Sequence, residues 1–355
     1  MAKKLMKGCE AIAEAAIQAG CRYFFGYPIT PQNDIPEYMS LRLPQVGGCF
    51  LQAESELAAI NMVYGAAGAG ARVMTSSSSP GISLKQEGIS TCAAAELPCV
   101  VVNMMRGGPG LGNIQASQGD YFQATKGGGH GDYHAIVYAP SSIAEAVELM
   151  PKAFDVAEDY RTPVIILADG LIGQMMEPVE MPDNPNPVMR DKPWAATGYK
   201  PGGAKPRAII NSLYIETEDL DELCRRMQAR YREIEKNEQR VELYHTEGAE
   251  FILCAYGTVA RVCKAAVRIL EEQGVKVGLV RPITLWPFPS GAVHDAIAQD
   301  SVKAALTVEV SAGQMVEDIR LAVNGCKPVE YLGEAGSRIP EAEEIAERIL
   351  AMRRA

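Results

Sequence analysis

Hydrophobic and polar positions along this chain change period repeatedly. Short strand candidates fall at Cys21–Phe25, Phe50–Gln52, Arg72–Ser76, Pro98–Met105 and Pro163–Ala168, and Pro98–Met105 is apolar on both faces. Such a run reads as a strand of a parallel sheet covered on both sides. Between them lie stretches with helical spacing: Glu10–Ala19 closed by Gly20, Pro31–Ser40, the Ala-rich Glu54–Ala69, Gly81–Glu96 and Ser141–Asp159. Strand and helix in strict alternation predict an α/β fold with a doubly wound parallel sheet over residues 1–176.

From Glu177 to Pro206 the periodicity stops. Pro178, Pro182, Pro185, Pro187, Pro193, Pro201 and Pro206 punctuate this stretch, which reads as a semi-rigid path over a surface. A charged helix is expected over Asp219–Tyr244. Leu220, Leu223, Met227, Tyr231, Ile234, Val241 and Tyr244 form one apolar stripe along it, as in a helix that docks between domains. Residues 177–247 are thus expected to be a linker with a docking helix. Residues 248–355 form a second, smaller α/β unit, with strands at Glu250–Ala255, Val275–Val280, Ala304–Glu309 and Val329–Leu332. It carries no catalytic cluster, so an organising or interface role is expected.

Length and charge narrow the field. The 355 residues suit two domains, and 47% apolar with 22% charged residues supply an ordinary core. A net charge of −10 argues against nucleic acid or an anionic membrane as partner. No apolar run reaches the roughly 18 residues of a membrane span. The basic N-terminus leads into an amphipathic segment with Glu10 and Glu14, unlike a signal peptide, so a cytoplasmic location is expected. The nine cysteines form no Cys-x-x-Cys and read as small buried hydrophobes. With four dispersed histidines, they give no metal site in this chain.

Candidate chemistry gathers where strands end. Gly26–Asn33, Gly-Tyr-Pro-Ile-Thr-Pro-Gln-Asn, leaves a strand and enters a helix, with Thr30 expected at the N-cap and Pro31 at the first helical position. Glu54 and Glu56 open the long helix. Either complements its dipole, or one is held beside an apolar wall with a raised pKa. Ser76–Ser79 with Pro80-Gly81 forms either an anion site or a cap. Arg106 precedes Gly107-Gly108-Pro109-Gly110-Leu111-Gly112, a turn or a site for carboxylate or phosphate. His130 follows Gly127-Gly128-Gly129 and either titrates near neutrality or is held by a carbonyl. In a doubly wound sheet, Thr30, Glu54 or Glu56, Ser76–Ser79 and Arg106 share one edge, where ligands bind.

Tyr27-Pro28-Ile29-Thr30-Pro31, Ser55-Glu56 with Ala58-Ala59 and Gly65-Ala66, the serine turn before Pro80-Gly81, and Arg106 together resemble the α subunits of 2-oxoacid:ferredoxin oxidoreductases. The resemblance spans nearly the whole chain. Arg106–Tyr133 looks most like subunits acting on 2-oxoisovalerate. The resemblance implies a pyrimidine-binding domain for thiamine diphosphate followed by a transketolase-C-like domain. It also implies CoA-dependent oxidative decarboxylation of a 2-oxoacid to acyl-CoA, with electrons passing to ferredoxin. In it, Glu56 hydrogen-bonds the pyrimidine ring, Thr30 donates to the substrate, and Arg106 pairs with the substrate carboxylate or CoA. Candidate cofactor contacts are Tyr27, Pro28, Ile29, Glu56, Ser78, Ser79, Gly107, Gly108 and His130. The family's Gly-Asp-Gly diphosphate motif is absent, and Ala168-Asp169-Gly170 is a near miss. Mg²⁺ and the diphosphate are therefore assigned to a β subunit, and 4Fe–4S clusters to ferredoxin-like γ and δ subunits. Three alternatives stay open: 2-oxoglutarate or pyruvate as substrate, half of a lipoamide-using dehydrogenase, and a scaffold subunit.

Overall fold

A computed structural model describes residues 3–181, 187–203 and 206–354, so Pro182 and Pro185 lie outside the described residues. The strands are β1 (Lys4–Lys7), β2 (Tyr23–Gly26), β3 (Cys49–Gln52), β4 (Val73–Ser77), β5 (Cys99–Met105), β6 (Ile136–Tyr138), β7 (Pro163–Asp169), β8 (Met176–Val179), β9 (Val241–Tyr244), β10 (Phe251–Cys254), β11 (Val277–Pro282), β12 (Thr284–Trp286), β13 (Ala304–Glu309) and β14 (Val329–Gly333). Seven of them form one sheet in the order β12-β6-β7-β5-β4-β2-β3. All neighbours in it are parallel except β12, which runs antiparallel to β6. The central strands β5 and β7 are buried along their whole length, as their unbroken apolar runs require.

The order of this sheet positions the site. From β2 the chain goes outward to β3, then returns across β2 to β4. The loops leaving β2 and β4 therefore depart to opposite faces and open a crevice between them, the topological switch point of the sheet. The second sheet, β14-β13-β10-β11-β9, has its own switch point between β10 and β13. Gln118, from the first α/β unit, fills it. Its Nε2 donates to Tyr256 O (3.0 Å), its Oε1 accepts from Val310 N (3.0 Å), and its own N donates to Val310 O (2.8 Å). Tyr121 Oη adds a bond to Asp318 (2.6 Å), and Lys126 pairs with the same carboxylate.

Several expected elements differ, and each difference comes from a long-range partner. The helix expected from Pro31 starts at Asp34, with Asn33 as its N-cap residue. Thr30 cannot act as the cap because its carbonyl is taken by Arg106 and its hydroxyl accepts from Asn33 Nδ2. The docking helix ends at Asn237, and Val241–Tyr244 form β9, antiparallel to β11. The start of the proline-punctuated stretch is β8, which pairs with the basic N-terminal β1. One residue after β11 the chain becomes β12 and joins the edge of the first sheet. Trp286 on β12 stacks on His134 (4.5 Å between ring centroids), and Tyr231 of the docking helix meets both edge-on, so this aromatic cluster pins the helix. No helix among the described residues is long and apolar enough to cross a membrane.

Candidate active site at the strand edge

Gln32 builds the wall made by the loop after β2. It is fully buried, its N donates to Ile29 O (3.1 Å) and its Nε2 to Tyr27 O (3.2 Å). Its Oε1 accepts from Ser76 Oγ (2.5 Å), which fastens the loop to the end of β4. Arg106, at the end of β5, reaches across with Nη1 on Thr30 O and Nη2 on Leu111 O, both at 2.8 Å. Its guanidinium thus clamps the Thr30 loop to the glycine-rich loop, while its Nε is buried without a partner.

The opposite wall is the serine turn. Ser79 Oγ accepts from Arg106 N (3.0 Å) and donates to Asp120 Oδ2 (2.6 Å), which also accepts from Asn103 Nδ2 (2.9 Å). Burial pushes the Asp120 carboxyl up from the usual range, and the bonds from Ser79 and Asn103 oppose that. Ser77 Oγ, Ser78 Oγ and Asn103 Oδ1 are buried without a partner among the described residues, and Ser77 and Asn103 are paired across β4 and β5. Each unpaired buried polar atom costs about 1–3 kcal/mol, so a row of them at one strand edge marks a place for a polar ligand.

Glu56 closes the constellation. Ser55 caps its helix, accepting from Ala58 N at 3.1 Å, so Glu56 sits in the first turn. It is 6% exposed, whereas Glu54 is exposed. Its carboxylate accepts no hydrogen bond from any described residue. The helix Ser79–Ala94 approaches it at Gly81, where an added Cβ would lie 2.1 Å from Ser77 Oγ and 2.5 Å from Glu56 Oε1. Only glycine allows this approach. Gly81→Ala is expected to push both side chains out of place. Urea unfolding should show a loss of about 1–3 kcal/mol, and thiamine diphosphate binding measured by calorimetry should weaken.

The other sequence candidates divide. Tyr27, Pro28 and Ile29 form the loop rim, with Tyr27 and Pro28 exposed. Gly107 fits tightly against Ser337 Oγ and Asn113 Oδ1, where a Cβ would come within 2.5 and 2.7 Å, while Gly108 is open. His130 is exposed and is not brought to the others. Its glycines press instead on Gln86 and Ser90, further along the helix Ser79–Ala94. A pocket of about 560 Å³ opens beside Thr30, lined by Thr30, Asp34, Ile114, Leu171, Gln174 and Ile339 among others.

Sequence reasoning missed Gln32, Asn103, Asp120 and Lys85. Lys85 is fully buried, its Nζ donates to Thr75 Oγ1 (2.8 Å), and burial pulls its pKa down to about 7 while Glu56 holds it up. A lysine between Ile82 and Ile89 on an apolar helix face was the available signal.

The fold and the site together define an α/β protein with a candidate ligand site at the switch point of its first sheet. The family model described as "Pyruvate flavodoxin/ferredoxin oxidoreductase, thiamine diP-bdg" matches residues 14–243. That of "Pyruvate:ferredoxin oxidoreductase core domain II" matches residues 249–345. Ketoisovalerate oxidoreductase subunit VorB of Methanothermobacter thermautotrophicus is 47% identical, over 98% of this chain and 97% of its own. The 2-oxoglutarate synthase subunit KorA of Methanocaldococcus jannaschii is 36% identical, over 99% and 100%. The solved 2-oxoglutarate:ferredoxin oxidoreductase from Magnetococcus marinus, with 2-oxoglutarate, coenzyme A and succinyl-CoA bound, matches with a TM-score of 0.87 and 27% identity. That match covers 98% of this chain and 65% of the longer solved chain. The chain belongs to the thiamine-diphosphate-binding pyruvate flavodoxin/ferredoxin oxidoreductase family and is a subunit of a 2-oxoacid:ferredoxin oxidoreductase.

Proposed function

We propose that this chain holds the aminopyrimidine end of thiamine diphosphate in an enzyme that converts 2-oxoisovalerate and CoA to acyl-CoA and CO₂, with two electrons passing to ferredoxin. The observation that carries this reading is the buried, unbonded carboxylate of Glu56 beside Gly81 and the orphaned serine hydroxyls. When bound, thiamine diphosphate supplies the carbanion chemistry that breaks the bond between the carboxylate and the 2-oxo carbon. Glu56 holds a proton at the ring nitrogen it faces, in a site dry enough to keep that hydrogen bond strong. Ser77 and Ser78 orient the ring. Arg106 keeps Thr30 in register through its carbonyl, which leaves the Thr30 hydroxyl at the pocket rim to meet the substrate.

The β subunit closes the other half of the site and carries Mg²⁺ and the diphosphate. Supporting this, exposed apolar side chains lie on loops (Tyr27, Leu111, Ile114), on the edge strand β3 (Leu51) and in the first two turns of the helices that carry Glu56 and Ser79 (Leu57, Leu84). Iron–sulfur clusters belong to γ and δ subunits. The substrate's side chain lies in the pocket beside Thr30. Among its described lining residues Asp34 is the one charged group, and Ile114, Leu171 and Ile339 are apolar. The negative charge of Asp34, with no cation beside it among these residues, disfavours the distal carboxylate of 2-oxoglutarate, and the apolar part of the lining leaves a place for a branched alkyl group although Gln115, Gln174 and Ser337 make the rest polar.

The test is viologen reduction by the reconstituted complex. kcat/KM should be highest for 2-oxoisovalerate, then pyruvate, then 2-oxoglutarate. A preference for 2-oxoglutarate would overturn the substrate assignment. The isolated chain should bind thiamine diphosphate poorly and reduce nothing. Full activity without partners would sink the half-site reading.

A further inference from the structure

We propose that Lys85 is the counter-cation of Glu56, a positioning residue that sets the charge on that carboxylate before and during cofactor binding. The inference rests on the reading of Glu56 given above. Its geometry comes from the packing of two helices, Glu56–Gly68 and Ser79–Ala94. Gly81 meets Glu56, and Gly88 meets Ile60, where an added Cβ would lie 2.4 Å from the Ile60 side chain. Positions 81, 85 and 88 lie on one helix face, as do 56 and 60 on the other. Lys85 therefore sits between the two contacts, in the seam that leads to Glu56. Thr75 fixes its ammonium group from β4, and Thr75 Oγ1 in turn donates to Phe25 O (2.6 Å), just before the Tyr27–Pro31 loop.

Among the described residues no other charge competes for it. The elements packed around Lys85 carry Glu56 and Tyr64 on the facing helix, Cys99 on β5, Asp169 on β7, and Glu87 and Cys92 on its own helix. Of these, Glu56 alone bears on the protonation of Lys85. A buried ammonium and a buried carboxylate without another ionic partner stabilise each other's charged forms. Below about pH 7, where Lys85 keeps its proton, the ammonium favours an ionised Glu56, so the carboxylate can accept a shared proton from the cofactor ring.

Infrared spectra of the full chain, labelled with ¹³C at the glutamate carboxyl and differenced against Glu56→Gln, follow the Glu56 carboxyl directly. In Lys85→Met its half-ionisation should move up by about one pH unit or more, a tenfold change in the ionised fraction at a fixed pH. Lys85→Gln keeps a donor to Thr75 and should show the same shift, so a failure of either variant to fold leaves the other. Lys85→Arg should hold the carboxyl at its wild-type position. An unmoved midpoint in a folded neutral variant overturns the proposal. Calorimetry of thiamine diphosphate binding to the assembled enzyme separates the two readings. If the midpoint moves but affinity ignores both Lys85→Met and Glu56→Gln, Lys85 remains the counter-cation and the cofactor role of Glu56 fails.

Discussion

Replacing Glu56 by Gln in the assembled enzyme is expected to lower kcat by about 10²–10⁴-fold, the range for loss of a positioned acid–base group. KM for the 2-oxoacid should change by less than about threefold, because in the proposed reading Glu56 serves the cofactor, and it does not line the pocket beside Thr30. Gln matches Glu in shape and leaves the Ser55 cap and the Gly81 contact in place, so the folded structure should persist. What it removes is the ability to hold a proton at the ring nitrogen. CoA-dependent viologen reduction under steady state reads the effect. Unchanged turnover would make this chain a scaffold that keeps the fold without the chemistry.

The sequence reading was strongest where a feature depends on neighbours in the chain. The buried runs of β5 and β7 are local, and the structure has them within a residue of their expected places, while the helix expected from Glu54 begins two residues later at Glu56, capped by Ser55. The choice of Glu56 over Glu54 could not be made from pattern alone, because both sit at one helix start. Burial separates them. What was illegible depends on partners far away in sequence. β1 and β8 are four residues each, too short to show a period, and each pairs with the other. Val241–Tyr244 continues a helical stripe by spacing, yet β11 offers it an open edge, and β-branched Val241 suits a strand equally well. β12 is three residues long and becomes a strand only against β6. Arg106, by its place before glycines, read as part of either a turn or a site for carboxylate or phosphate. The carbonyls of Thr30 and Leu111, brought to it by folding, take both terminal nitrogens.

Raising the pH from about 7 to about 10 is expected to stabilise the wild-type chain relative to Lys85→Met. Lys85 in the folded chain titrates at about 7, against about 10.4 when unfolded. Between these values the unfolded chain binds a proton that the folded chain does not, so stability rises with pH. The destabilisation is complete below the folded value and gone above the unfolded one. Over the whole window the change is on the order of 4 kcal/mol. Met fills the same space without a charge and contributes no slope, and groups that titrate in both proteins cancel in the difference. Urea unfolding of both proteins across this range provides the measurement. Parallel stability curves would mean that Lys85 keeps its proton after folding. Glu56 supplies an internal control, since its charge works against the depression of Lys85. Adding Glu56→Gln should pull Lys85 lower still, so that the rise in stability begins at a lower pH than in the wild type. A stabilisation by Lys85→Met that ignored both pH and Glu56 would trace to packing alone and would separate Lys85 from the carboxylate.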